Sequence, residues 1–326
     1  MTMSKSMRST EPNIIHVAVA IVVNSAGKIL IARRPKGVHL EGLWEFPGGK
    51  VKSGESAFEA LQREMKEEVG LHIKSARRLI NIIHEYPEKT VQLDTWLCKD
   101  WAGEATGAEG QKIYWCALNE LADFEFPAAD HPIITALKLP SSYQISPDPS
   151  RDYANFLSSL ETCFEQGNRL FQLRTKSLAA NEAQRLIEPI KQLCSKYNAK
   201  WLINGEPDDA RRHCADGVHL NSKRLLTLSS RPLDSNFLVA ASCHNAEELA
   251  HAERINVDFA VLSPVKKTRS HPEVKPIGLD NFEELIAGIN MPIYALGGMS
   301  SHDLESVWKS GGQGIAMIRS GWPVSE

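Results

Sequence analysis

The run Gly49-Lys50-Val51-Lys52-Ser53-Gly54-Glu55, followed after seven residues by Arg63-Glu64-Met65-Lys66-Glu67-Glu68-Val69-Gly70-Leu71, decides how the first part of this chain is read. Ser56–Val69 predicts a helix: Ser56 with Glu59 forms a capping box, and Gly70 supplies the C-terminal stop. At about 100° per residue, Phe58, Leu61, Met65 and Val69 share one stripe, and Glu64, Glu67 and Glu68 fall on the stripe beside it. Like charges at i,i+4 destabilise a helix by about 0.2–0.5 kcal/mol per pair, and Glu64 with Glu68 is such a pair. A divalent cation would turn that repulsion into a binding site. Hard carboxylate oxygens suit Mg²⁺ or Mn²⁺, and such ions assist the attack of water on a phosphoanhydride. The loop Pro47-Gly48-Gly49-Lys50 lets backbone carbonyls approach a metal, because glycine carries no Cβ. Arg63 is placed to orient a neighbouring carboxylate through bidentate pairing.

Working outward, 326 residues are too many for one typical domain and suit two. Hydrophobic content of 42% with 24% charged residues fits an ordinary globular protein. A net charge of −3 gives no global electrostatic case for nucleic-acid or acidic-membrane partners. Cys98, Cys116, Cys163, Cys194, Cys214 and Cys243 are scattered without a C-x-x-C pair, which favours a reducing cytoplasm over a disulfide framework or a zinc site. Met1–Pro12 is polar and lacks an apolar signal-peptide core, so residues 1–13 are expected to be a disordered tail. No apolar run approaches the ~18 residues of a membrane span.

Val17–Val23 and Ile29–Ala32 read as strands joined by the turn Asn24-Ser25-Ala26-Gly27. Val91–Cys98 and Lys112–Cys116 read as further strands, and Pro132–Leu139 as a short helix. The mixture, without strict alternation, suggests an α+β domain over 14–139. The polar stretch Pro140-Ser141-Ser142, continuing to Ser150, marks a boundary, and 140–326 changes to strand–helix alternation. Candidate strands are Tyr143–Ser146, Leu170–Arg174, Trp201–Asn204, Gly217–Leu220, Leu238–Ser242, Phe259–Leu262, Ile293–Leu296 and Gly314–Ile318. Eight short strands with intervening helices suggest a (β/α)8 TIM barrel, with a doubly wound sheet as the alternative.

Gly49, Glu55, Arg63, Glu64, Glu67, Glu68 and Gly70 match the Nudix box, G-x5-E-x7-R-E-U-x-E-E-x-G-U, with Met65 and Leu71 at its apolar positions. The first domain resembles the MutT-type 8-oxo-dGTP diphosphatases of that family. Ala32-Arg33-Arg34, Leu43–Lys50, Trp101–Glu104, Glu109-Gly110-Gln111 and Phe126–Asp130 sit where those enzymes have similar segments. The resemblance implies the α+β Nudix fold. It also implies metal ligands Glu64, Glu67, Glu68 and Glu109 with help from the Gly48 carbonyl, and a catalytic group of Glu64, Glu67, Glu68 and Arg63. Arg34 would read the edge of an oxidised purine and Phe46 would pack on the substrate. Water would attack the β-phosphorus of a nucleoside triphosphate, releasing a nucleoside monophosphate and pyrophosphate, in the service of nucleotide-pool sanitising. Two positions depart. Asp130 stands where the family usually has a purine-binding Asn, and an ionised Asp only accepts hydrogen bonds. Glu88-Lys89 stand where an Asp-Arg pair is common, keeping charge without the guanidinium fork.

Gln172-Leu173-Arg174-Thr175-Lys176, Ala215–Leu220, Ser242-Cys243-His244 and Leu296-Gly297-Gly298-Met299 resemble thiamine-phosphate synthases and the thiazole tautomerase TenI. That resemblance implies a phosphate or ligand site made by Arg174, Lys176, Gly297 and Gly298, with His244 as a proton shuttle. Lys266, Lys267, Arg269 and His271 form a basic loop that could bind an anion. The second domain also departs from its family. Asn204-Gly205 replaces the Asn-Asp after the third strand, and His219-Leu220-Asn221-Ser222-Lys223-Arg224 lacks the second acid; both positions serve Mg²⁺ in the synthases. The leading expectation is a Mg²⁺-dependent nucleoside triphosphate pyrophosphohydrolase. The alternative is a bifunctional thiamine-pathway protein whose barrel acts as synthase, tautomerase or phosphate-ligand sensor. The expected partners are a nucleoside triphosphate and a phosphorylated thiamine-pathway ligand, with no nucleic acid and no membrane.

Overall fold

The computed structural model describes residues 14–149, 152–175, 180–268 and 273–323. The tail expected to be disordered, Lys176, Arg269 and His271 lie outside the described residues. The chain forms two compact units. One comprises residues through Ala76 together with Asn81–Asp130, and the other Arg77–Ile80 together with residues from His131 onward.

In the first part the strands are β1 (Ile14–Val22), β2 (Ile29–Arg33), β3 (Trp44–Glu45), β4 (Gly48–Lys50), β5 (His72–Tyr86), β6 (Lys89–Ala102) and β7 (Ile113–Cys116), with helix α1 (Ala57–Val69) between β4 and β5. One sheet has the order β4-β1-β6-β5 and a smaller one β3-β2-β7. β1 runs parallel to β6 from Ile14↔Thr90 to Val22↔Cys98, and antiparallel to β4. Small residues explain how the helix comes down on this sheet. Ala18, Ala20 and Val22 alternate along one face of β1 and meet Ala60, Leu61, Met65 and Val69 of α1, all fully buried. The helix is capped as the sequence predicts: the Ser56 hydroxyl accepts from Glu59 N–H, the Glu59 carboxylate accepts from Ser56 N–H, and Gly70 closes the C-terminus at φ +70°.

The larger segment of the second unit starts with helix α2 (His131–Lys138), whose last turn is tied down by the Gln313 amide donating to the carbonyls of Ala136 and Leu139, both at 3.0 Å. A closed parallel barrel follows, formed by β8 (Ser142–Ile145), β9 (Leu170–Leu173), β10 (Lys200–Asn204), β11 (Gly217–Leu220), β12 (Leu238–Cys243), β13 (Phe259–Leu262), β14 (Ile293–Ala295) and β15 (Gly314–Met317). The barrel is thus the correct reading and the doubly wound sheet is not. Side chains alternate across each strand. Tyr143, Leu202, Ala240, Phe259 and Tyr294 fill the lumen, while Phe171, Trp201, Val218 and Val239 face the surrounding helices. No helix among the described residues is long and apolar enough to cross a membrane. Five of the six free cysteines are buried and Cys214 is exposed.

Candidate active site

The acidic site is assembled where α1 crosses β4. Arg63 is its organiser. Its Nε and Nη2 donate to the two oxygens of Glu55 at 3.1 and 2.6 Å, its Nη1 to Glu64 at 2.6 Å and Glu67 at 3.2 Å, and its Nη2 also to the Lys50 carbonyl at 3.0 Å. These bonds, with a further one from Lys52 N–H, hold the Glu55 carboxyl down at about 2. Glu64 lies directly over Gly49, where a Cβ would fall far inside contact distance of its carboxylate. Glu68 accepts from Gly48 N–H at 3.3 Å. Its backbone carbonyl receives Ala108 N–H and the Gln111 side-chain amide, which ties the Glu109 turn to the helix.

Burial pushes the Glu68 carboxyl up to about 8, and repulsion from Glu64, Glu45 and Glu109 adds to the effect. Glu67 is 53% exposed at its side chain. Among the described residues no three His, Cys, Asp or Glu side chains converge into a metal-binding group, and Arg63 pairs with both Glu64 and Glu67. The donor chemistry fits a divalent cation all the same: the hard carboxylate oxygens of Glu64, Glu45 and Glu109 repel that of Glu68, and the missing Cβ at Gly49 lets the Glu64 carboxylate come down on the β4 backbone.

A second cluster lies around Asp130. Arg34 Nη1 pairs with the Glu45 carboxylate, and Arg34 Nε donates to the His39 carbonyl at 2.8 Å. Burial raises the Glu45 carboxyl despite that partner. Asp130 is pushed up to about 8, by burial first and then by Glu45, against the opposing pull of Arg34. Phe46 is 4% exposed and stacks on Phe126 with ring centroids 5.3 Å apart. Tyr86, in edge contact with His39 at 5.2 Å and His84 at 4.5 Å, closes one side. Glu88 is exposed in the turn after Tyr86, and Lys89 Nζ lies 5.9 Å from the Tyr86 ring. Sequence reasoning missed Glu45 and Tyr86. Glu45 lies within the Leu43–Lys50 segment already singled out, and the antiparallel β3–β2 register pairs it with Ala32, two residues before Arg34.

In the barrel, Gly297 and Gly298 have φ of +97° and +66°, and a Cβ at Gly298 would meet the Lys267 carbonyl at 2.7 Å, so only glycine fits this turn. Arg174 follows β9 and its N–H donates to the Ser146 hydroxyl at 2.9 Å. His244 is exposed, its Nδ1 donating to the Ser263 carbonyl at 2.9 Å. Lys266 pairs with Asp303. The polar centre of the lumen is a set of residues the sequence did not reveal. Asn204 donates to Gln172 Oε1 at 3.1 Å, Gln172 Nε2 donates to the Tyr143 hydroxyl at 3.0 Å, and Tyr143 lies 3.1 Å from His219 Nδ1. His219 Nε2 lies 2.8 Å from the Ser242 hydroxyl. Burial drives the His219 imidazole down to about 3, so it is neutral, with one donor and one acceptor nitrogen. In the tautomer in which Nδ1 accepts from the Tyr143 hydroxyl, Nε2–H donates to Ser242 and the serine's own proton is left for a ligand. The period-2 alternation that faces Gln172, Asn204, His219 and Ser242 inward was the available signal.

Comparison with known proteins matches both halves. The family model described as "Thiamine monophosphate synthase" matches residues 142–320, and the NUDIX domain model matches 18–136. The 8-oxo-dGTP diphosphatase of Escherichia coli (strain K12) is 37% identical over 124 residues, covering 38% of this chain and 96% of that protein. A thiamine-phosphate synthase family protein of Aquifex aeolicus (strain VF5) is 39% identical over 182 residues, covering 56% of this chain and 97% of that protein. A solved MutT structure, from work on the Aliivibrio salmonicida and Vibrio cholerae proteins, is 32% identical, with a TM-score of 0.35 over 38% of this chain and 97% of its own. The chain belongs to the Nudix hydrolases through residues 18–136 and to the thiamine monophosphate synthase family through residues 142–320.

Proposed function

We propose that the Nudix half hydrolyses an oxidised purine nucleoside triphosphate, most specifically 8-oxo-dGTP to 8-oxo-dGMP and pyrophosphate, in the cytoplasm. The observation that carries this reading is the carboxylate cluster around Glu68, organised by Arg63, set against the Gly48–Gly49 strand and next to the Arg34–Glu45–Asp130 group. Glu64, Glu67, Glu68, Glu109 and the Gly48 carbonyl would hold Mg²⁺ or Mn²⁺. Bound there, the ion would neutralise the phosphates and polarise the phosphorus under attack. The protein's own part is to keep the carboxylates oriented. Arg63 does this for Glu64 and Glu67 while clamping Glu55. Arg34, Phe46, Asp130, Glu88 and Lys89 form the nucleotide-facing side. The halves assigned to the two activities are 14–139 and 140–326.

The test is turnover of 8-oxo-dGTP and dGTP with Mg²⁺, followed by pyrophosphate release. A preference of about tenfold or more in kcat/KM for the oxidised nucleotide is expected from one gained and one avoided polar mismatch. Comparable rates, or negligible rates on both, would remove the sanitising role.

A second reading concerns the barrel, where the Gln172–Tyr143–His219–Ser242 relay leaves a hydroxyl donor for a ligand. In this reading the barrel binds a phosphorylated thiamine-pathway compound, with the anion near Arg174, Lys176 and the Gly297-Gly298 turn. Calorimetric titration of the full chain with thiazole phosphate is expected to show saturable binding, weakened about tenfold by Ser242→Ala. No heat of binding with this or a pyrimidine phosphate would sink it.

A further inference from the structure

Asp130 is 6% exposed, yet its carboxyl makes no hydrogen bond among the described residues. It sits on the short turn Ala128–Asp130, beside Glu45 of β3. The charged and titratable groups facing it are Glu45, Arg34 at the end of β2, and Tyr86 at the end of β5. Arg34 is already committed, with Nη1 on Glu45 and Nε on the His39 carbonyl. One guanidinium thus stands against two carboxyls, that of Asp130 buried and that of Glu45 half-buried. A charged Asp130 would be desolvated, unpartnered and next to a like charge, the least favourable combination for a carboxylate.

We propose that Asp130 meets the base as a neutral carboxylic acid, its hydroxyl donating to a base acceptor and its carbonyl accepting from an adjacent ring N–H. This rests on the reading of the site as one for oxidised purines. The chemistry of the bases gives the pattern its use. The major-groove edge of guanine offers two acceptors, O6 and N7. Oxidation at C8 converts N7 into an N–H, so the edge becomes acceptor beside donor. A neutral acid satisfies both; with intact guanine, its carbonyl faces the N7 lone pair. A carboxylate would have no donor for O6 and would add a second negative charge beside Glu45. The neutral acid therefore presents the same donor–acceptor pair as the carboxamide of Asn.

The test is the ratio of kcat/KM for 8-oxo-dGTP to that for dGTP, measured with Mg²⁺ from about pH 6.5 to pH 9.5 for the wild type and Asp130→Asn. Taking the ratio cancels titrations at the metal cluster. The wild-type ratio is expected to fall relative to that of Asp130→Asn by about tenfold across the upper part of this range, as the acid loses its donor. Parallel profiles for the two proteins overturn the inference and leave the oxidised-purine reading intact. Absence of selective turnover by the wild type at neutral pH overturns that reading and this inference with it. A second measurement needs no variant. Binding of 8-oxo-dGMP to the wild type at about pH 9, titrated in two buffers of different ionisation enthalpy, is expected to take up about one proton. Binding without proton uptake overturns the inference.

Discussion

Glu68→Gln is expected to lower kcat for nucleotide hydrolysis by about a thousandfold or more, while the protein stays folded. Charge neutralisation by a bound metal supplies several kcal/mol to phosphoryl transfer, and each 1.36 kcal/mol is tenfold in rate, so a lost ligand is felt at about this level. The same substitution removes an unfavourable charge from the metal-free protein. Glu68 is raised to about 8 by burial and by Glu64, so the folded state binds its proton more tightly than the unfolded chain does. Stability from this group is full below the unfolded value of about 4.3 and is lost as pH rises toward about 8. Without metal, the melting temperature of the wild type should therefore fall across that window more steeply than that of Glu68→Gln. Added Mg²⁺ should raise it in the wild type near pH 8, and do so less in the variant. Retained hydrolysis by both Glu68→Gln and Glu64→Gln would remove the metal assignment.

The adjacent glycines are expected to fail in opposite ways. At Gly49 a Cβ would collide with the carboxylate of Glu64, the far end of a flexible side chain. Gly49→Ala should displace that carboxylate and cost about a hundredfold or more in kcat/KM, with a melting temperature close to wild type, since misplacing a reacting group by about 1 Å has effects of this size. At Gly48 a Cβ would collide with the backbone carbonyl of Ala18, in the antiparallel pairing of β4 with β1. Backbone in a buried sheet has no such room to move, so Gly48→Ala should lower stability by about 1–3 kcal/mol or more, as overpacking does. Thermal denaturation and steady-state kinetics on both variants decide the matter. Equal loss of stability in the two would show that Gly49 serves packing rather than the site.

How far the sequence could be read depended on whether the signal was local. The barrel strands were legible because short apolar runs such as Phe259–Leu262, buried on both faces, stand out between polar helices. The helix Ala57–Val69 was legible from its caps and stripe. The long strand β5 was not. It lies at the edge of its sheet, Lys74, Ser75, Arg77, Arg78, His84 and Glu85 interrupt its apolar positions, and the buried residues Ile73, Leu79, Ile80 and Ile82 change parity midway instead of keeping one alternation. The acidic cluster was readable because helical geometry brings i, i+3 and i+4 together. The lumen relay and the Asp130–Glu45 juxtaposition were not, because strand register and the closure of a sheet set them.

The clamp that Arg63 makes on Glu55 and on the Lys50 carbonyl closes the chain on itself: out along the turn that follows β4, through the helix cap, and two turns up α1. The circumference of that ring is a fixed number of residues. One residue fewer between Glu55 and Arg63 would turn the guanidinium by about 100° around the helix, away from its partner. What a reader of sequences meets as the spacing of a motif is, in the folded molecule, a tether cut to length.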